Sequence, residues 1–183
     1  MLVTIRDEAP DDVVAIGDVN VKAFGRPDEA RLIERLRDNG AVTLSLVAAV
    51  DDRVVGHILY SPVRLASERH ALHGSSDLHA LHGAGLGPMA VLPAFQRQGI
   101  GSRLIAEGTR RLRANGCPFI VVLGHPEYYP RFGFVPASRH GVRCQWHVRD
   151  GAFMVLPLDP ARVASVSGVA TYRDEFTTVA ETR

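Results

Sequence analysis

The sequence predicts a mixed α/β fold, and three features carry that reading. Two helical stretches with apolar stripes follow a short first strand, an apolar hairpin comes after them, and a strand, a glycine-containing loop, a helix and a further strand then succeed one another as in a βαβ crossover. Both hairpin pairing and crossover pairing are therefore expected in one sheet.

Val3 to Arg6 is expected as a short first strand. Pro10-Asp11-Asp12 then signals a helix start ahead of Val13, Ile16, Val19 and Phe24. Pro27-Asp28 restarts the pattern, Leu32, Ile33 and Leu36 form one apolar stripe, and Asn39-Gly40 supplies the stop. Val42 to Val50 and Val54 to Leu65 are rich in β-formers and flank Asp51-Asp52-Arg53, which predicts the hairpin. From Ser67 to Gly85 the glycines and serines show no period, so an exposed loop or a frayed strand extension is expected. Leu86 to Leu92 is expected as a strand, Leu104, Ile105, Gly108 and Leu112 as one face of a helix ending at Asn115-Gly116, and Phe119 to Leu123 as a strand buried on both faces. Tyr128 to Phe132 is expected as a short helix or turn. Further strands are expected near Arg143 to Val148, Phe153 to Leu156 and Val169 to Tyr172.

With 183 residues, 46% hydrophobic and 22% charged, the chain is expected to form one domain over residues 1–183, with a core over about 1–158 and a C-terminal extension over 159–183. Its 21 basic and 20 acidic residues leave a net charge of +1, which gives no bulk attraction to nucleic acid or to an anionic membrane. The N-terminal octad lacks the pattern of a secretory signal, and no apolar run is long enough to span a bilayer, so a cytoplasmic protein is expected. A monomer or a homodimer is expected. Cys117 and Cys144 form no CxxC unit and are expected as buried, reduced thiols.

Gln96-Arg97-Gln98-Gly99-Ile100-Gly101 stands between a strand and a helix, where successive backbone N–H groups can turn toward one anion. The absent side chains of Gly99 and Gly101 allow a phosphate to approach, and the helix N-terminus contributes roughly half a positive charge. A tight turn into the helix would also account for the two glycines. The nucleotide loops GxxxxGK[ST] and GxGxxG both fail here, which excludes the commonest triphosphate and dinucleotide sites.

These residues resemble the GNAT superfamily of N-acetyltransferases, whose signature Q/R-x-x-G-x-G/A is matched by Gln96 to Gly101. About 28 residues later Tyr129-Pro130-Arg131-Phe132-Gly133-Phe134 matches the family's Y-x-x-x-G-F. Val122 to Phe134 with Arg143-Cys144-Gln145-Trp146 is similar to the YhbS-like branch, and the resemblance runs from about Val3 to Tyr172. It implies a mixed, strongly twisted sheet of about six to seven strands with helices on both faces, its fourth and fifth strands splayed around the pantetheine arm of acetyl-CoA. The co-substrate contacts it implies are Met89, Ala90, Val91, Gln96, Arg97, Gln98, Gly99, Ile100, Gly101, Ser102, Gly124 and Phe132. Pro88, which has no N–H, independently marks an interruption of pairing beside Met89.

The family reaction is direct attack of a primary amine, on a small molecule or a protein, on the acetyl thioester. Tyr129 is then the general acid toward the leaving thiolate, with Tyr128 as its alternative. The base is unassigned among Glu29, Glu34, Glu127 and water. Cys144 is read as structural, and Trp146 and Phe24 as core or acceptor-pocket aromatics. His70, His73, His79 and His82 have a metal-like spacing but sit among glycines, so no metal is expected. A non-catalytic CoA-binding module would need no phenol at Tyr129.

Overall fold

The computed structural model describes residues 2–66, 80–149 and 151–177. Two compact units form within it, one from residues 1–61, 87–111 and 174–183 and the other from residues 62–86 and 112–173.

The first unit begins with β1 (Thr4–Asp7) and a 3₁₀ turn, Pro10–Asp12, whose Asp12 carboxylate accepts the Ala9 amide at 2.8 Å. Helices α1 (Val13–Phe24) and α2 (Asp28–Asp38) come next, then β2 (Leu44–Val50) and β3 (Arg53–Ala66), which passes into the second unit. β1 and β3 flank β2, both antiparallel to it, with Ile5 opposite Ala48 and Leu46 opposite Ile58. Because side chains alternate along a strand, β3 meets a helix on each face. A Cβ at Gly56 would lie 3.2 Å from Ile100 of α3 (Ile100–Ala114), and Gly108 of that helix leaves room for the Tyr60 ring. His57, on the opposite face, bonds to Asn20 of α1.

The second unit holds the first part of β4 (Leu81–Val91), β5 (Phe119–Leu123), β6 (Val135–Pro136), β7 (Val142–Cys144), β8 (Phe153–Pro157), α4 (Pro160–Ala164) and β9 (Gly168–Thr171). β5 runs parallel to β4 and antiparallel to β8, while β9 pairs antiparallel with the end of β3 and parallel with β7. Seven strands hydrogen-bond along the path β1-β2-β3-β4-β5-β8-β6, and β7 and β9 attach off it.

One sequence expectation changes here. The glycine-rich stretch expected as loop up to Gly85 is strand from Leu81 onward, because Gly83 and Gly85 lie where the Phe119 and Tyr172 rings press on β4 and no Cβ would fit. The strand expected near Val169 to Tyr172 is β9, which pairs with β7, and the turn Asp174–Phe176 packs on α2.

A polar network crosses the apolar interior of the first unit. His57 is 0% exposed, with Nδ1 3.3 Å from Asn20 Nδ2 and Nε2 2.9 Å from Ser45 Oγ. The Ser45 hydroxyl donates to Glu8, which also forms an ion pair with Arg37 at 2.7 Å. Asn20 Nδ2 donates to the Ile16 carbonyl at 2.9 Å, so the amide nitrogen faces His57 as a donor and the imidazole proton falls on Nε2. Burial holds the imidazole below its ordinary 6.5, against the opposing pull of Glu8. Burial pushes the Glu8 carboxyl up, but the bonds from His57, Arg37 and Ser45 outweigh it and bring the group to about 2.

Both groups bind fewer protons in the folded chain than in the unfolded one, His57 below 6.5 and Glu8 between 4.5 and about 2. Their stabilising contribution is complete above pH 6.5 and is lost on acidification through those windows. Thermal melts monitored by circular dichroism should therefore show Tm falling as pH drops from 7 to 4. His57→Gln should lower Tm at pH 7.5 by about 3–10 °C and flatten the decline between pH 6.5 and 5. A variant with the wild-type slope would remove His57 as its source.

Candidate functional site

Past Leu86, β4 is no longer paired with β5, and it enters the glycine loop from the first unit. The last β4–β5 pair is Leu86 with Val122, and Gly87 to Val91 continue the strand beyond it. Pro88 lies in this stretch and offers no donor. Leu92 then returns its amide to the Val55 carbonyl at 2.9 Å, and Pro93–Phe95 makes one 3₁₀ turn.

The loop itself is pinned by side-chain amides. Gln96 Nε2 donates to the Val91 carbonyl at 3.0 Å, and Gln98 Nε2 to the Ala94 carbonyl at 3.1 Å. Arg97 and Gly99 both take left-handed backbone conformations, with φ of 59° and 81°, which folds Gln96 to Gly99 around a concave turn. The α3 ladder opens with Arg103 N to the Gly99 carbonyl at 3.1 Å. The amides of Ile100, Gly101 and Ser102 precede it and have no acceptor within the helix. No atom lies within 4 Å of the position a Gly99 Cβ would take. The geometry is that of an anion cradle: helix-terminal amides and open space.

All the predicted contacts from Met89 to Ser102 lie in this unit. Ala90 and Val91 are buried and Met89 is half-buried, so a ligand would meet backbone more than side chain at these positions. The sequence reading leaves the backbone of Val91 free, but its carbonyl already accepts from Gln96.

Gly124, Tyr129 and Phe132 belong to the second unit. Tyr129 begins the 3₁₀ turn Tyr129–Phe132, closed by Gly133 in a left-handed conformation with its amide on the Pro130 carbonyl at 3.0 Å. The Tyr129 ring is 7% exposed and stands edge-on to Phe134 at 5.6 Å and to Tyr128 at 5.2 Å. A Cβ at Gly124 would collide with this ring, so Gly124 fixes its position by having no side chain. Tyr128 is the outer ring of the pair, with the Arg131 guanidinium 4.3 Å from its centre.

Other candidates sort by burial. Of the candidate bases, Glu29 is 1% exposed and bound to Arg26 at 2.7 Å, whereas Glu34 and Glu127 are exposed. Trp146 lies against Tyr172 at 5.3 Å, a packing role in the second unit. Both thiols are half-buried rather than fully buried, and burial pushes each above its ordinary value. His70, His73 and His79 lie outside the described residues, and His82 is exposed on β4. No cluster of metal-ligating side chains occurs among the described residues.

The fold and the loop together define an acyltransferase of the acetyl-CoA type. The Acetyltransferase (GNAT) family model matches residues 7–134, and the chain belongs to that family of N-acetyltransferases. Among its relatives, the Escherichia coli K12 protein named Uncharacterized N-acetyltransferase YhbS is 35% identical over 173 residues, covering 94% of this chain and 97% of that protein. The crystal structure of YhbS from Escherichia coli in complex with CoA superposes with a TM-score of 0.85 at 34% identity, over 95% of this chain and 91% of that one. A GNAT family acetyltransferase from Brucella melitensis in complex with acetyl-CoA superposes with a TM-score of 0.75 at 34% identity, over 96% and 98%. The expected GNAT fold is thus the observed one.

Sequence reasoning missed the network around His57. Its one sequence signal is a titratable residue within the otherwise apolar run Val54 to Tyr60.

If Gly124 fixes the Tyr129 ring, Gly124→Ala should destabilise the chain by about 1–3 kcal/mol through overpacking. Gly124→Ala combined with Tyr129→Ala should recover part of that loss in urea unfolding. Additive losses would contradict the contact.

Proposed function

We propose that the chain transfers an acetyl group from acetyl-CoA to a primary amine of a small molecule or a protein in the cytoplasm. One observation carries this reading: the Gln96 to Ser102 cradle comes directly after a stretch of β4 that has outrun its β5 partner. A diphosphate fits the loop amides and the helix N-terminus, and an extended amide-bearing chain fits the strand stretch from Val91 back toward Gly87. Acetyl-CoA has both parts, one after the other. The complexes of the Escherichia coli and Brucella melitensis relatives with CoA and acetyl-CoA support the choice.

In this reading Gln98 to Ser102 bind the diphosphate through backbone N–H groups, and Arg97 adds a charge-assisted contact. Met89 and Val91 align the pantetheine amides. The neutral amine attacks the thioester carbon directly, a tetrahedral intermediate forms, its nitrogen releases one proton to solvent water, and the C–S bond breaks to release the CoA thiolate. Tyr129 gives its phenolic proton to that thiolate and recovers one from solvent. Gly124 and Phe132 support the Tyr129 turn. Holding both reactants together supplies several kcal/mol without a covalent enzyme intermediate.

Acetyl-CoA should raise Tm, since a ligand of the folded state stabilises by mass action. Gly101→Asp should abolish that shift by setting a carboxylate against the diphosphate, while Gly101→Ala should retain it. Gly101 is the cleaner test, because Gly99 at φ 81° would add backbone strain to any substitution. A wild-type melt unmoved by millimolar acetyl-CoA would overturn the reading.

Tyr129→Phe deletes only the hydroxyl. With an acceptor found by screening for thiol release, kcat should fall by about tenfold to a hundredfold while the Kd of acetyl-CoA changes only a fewfold. Tyr128→Phe should do less. Full turnover in Tyr129→Phe would leave the ring a packing role alone.

A further inference from the structure

The C-terminal turn Asp174–Phe176 is clamped to α2 within the first unit. Asn39 Nδ2 donates to Glu175 Oε1 at 2.8 Å, and Arg35 Nη2 donates to the Glu175 carbonyl at 3.0 Å. Glu175 is 8% exposed, and these two part-buried bonds position the next residue. That residue, Phe176, is half-buried and brings its ring to 3.9 Å from where a Cβ of Gly87 would stand.

Gly87 has a particular place on β4, as the first residue after the last β4–β5 pair, Leu86 with Val122. A chain that pairs with a strand edge meets every second residue, about 6.6 Å apart. Counting away from the diphosphate cradle, the pairing positions are Val91, Met89 and then Gly87. If pantetheine uses the first two, the thioester and its acyl group arrive at the third. The ring standing over that position is Phe176.

We propose that Phe176 is a specificity-determining residue that limits the length of the acyl group, admitting acetyl and turning away longer straight chains. The inference rests on the reading that acyl-CoA lies along β4, and it assigns a substrate-contacting role to the C-terminal turn. A side chain at position 87 would enter the space the ring bounds, and the backbone φ of 155° there also favours glycine. Each methylene that a hydrophobic wall rejects is worth roughly tenfold or more in discrimination.

The test needs no acceptor: titration calorimetry of wild type, Phe176→Ala and Phe176→Leu with CoA, acetyl-CoA, butyryl-CoA and hexanoyl-CoA. Wild type should bind butyryl-CoA at least about tenfold more weakly than acetyl-CoA. Phe176→Ala should bring the two within about twofold, and Phe176→Leu should fall between. Free CoA should change less than about threefold, whereas a merely structural role would weaken all four ligands together. A wild type that does not discriminate, or variants that keep the wild-type ratio, would overturn the acyl-wall role while leaving CoA binding intact. Failure of wild type to bind CoA at all would instead remove the reading beneath it. If Phe176→Ala does not fold, the Phe176→Leu ratio decides alone.

Discussion

Everything proposed for this chain depends on where β4 stops being paired with β5. Backbone N–H and C=O groups must find partners, and a strand that leaves its neighbour keeps a row of them along one edge. Here the parallel ladder covers Ala84 to Leu86 only, and the strand goes on to Val91. Pro88, in the middle of that continuation, has no donor to offer a neighbour. The loop beyond the strand is equally demanding, since it turns through two left-handed residues and delivers the chain into α3 with its first amides uncommitted. An extended chain ending in a diphosphate satisfies both deficits at once. That is the chemistry of a CoA thioester, and it explains why strand edge and glycine loop are consecutive in the sequence.

The scaffold around this constraint is rigid for identifiable reasons. β3 is covered by α3 on one face, through Gly56 and Tyr60, and by α1 on the other, through His57. The polar chain from Asn20 through His57 and Ser45 to Glu8 and Arg37 links α1, β3, β2, the residue after β1, and α2. A buried network of this kind costs desolvation that its directional bonds offset, so it favours one arrangement of the five segments, although Asn20 Oδ1 has no hydrogen-bond partner among the described residues. A fixed first unit keeps the cradle in shape. The clamp of Glu175 on Arg35 and Asn39 extends the same logic to the C-terminal turn.

Much of this is legible in the sequence, and the failures have physical causes. The cradle can be read because its chemistry is local: two glycines, a helix after them and a strand before them suffice. Tyr129 can be placed from its step to Gly133, since a left-handed closing residue sits at that spacing. The strand from Leu81 to Gly85 escapes sequence reasoning because glycine normally signals a turn, whereas here Gly83 and Gly85 accommodate rings from Phe119 and Tyr172, remote in sequence. Glu29 escapes it too, because a carboxylate in the first turn of a helix ordinarily faces water, whereas this one is buried and paired with Arg26. The network around His57 likewise draws on four segments besides its own strand, and the approach of Phe176 to Gly87 spans nearly ninety residues of chain.

The most direct test of the central claim is a crystal structure of the chain grown with CoA. The account predicts diphosphate oxygens at roughly 2.7–3.2 Å from backbone amides between Gln98 and Ser102, with the pantetheine arm running along β4 from Val91 toward Gly87. A diphosphate bound elsewhere, with the Gly99 and Gly101 amides facing water, would contradict it.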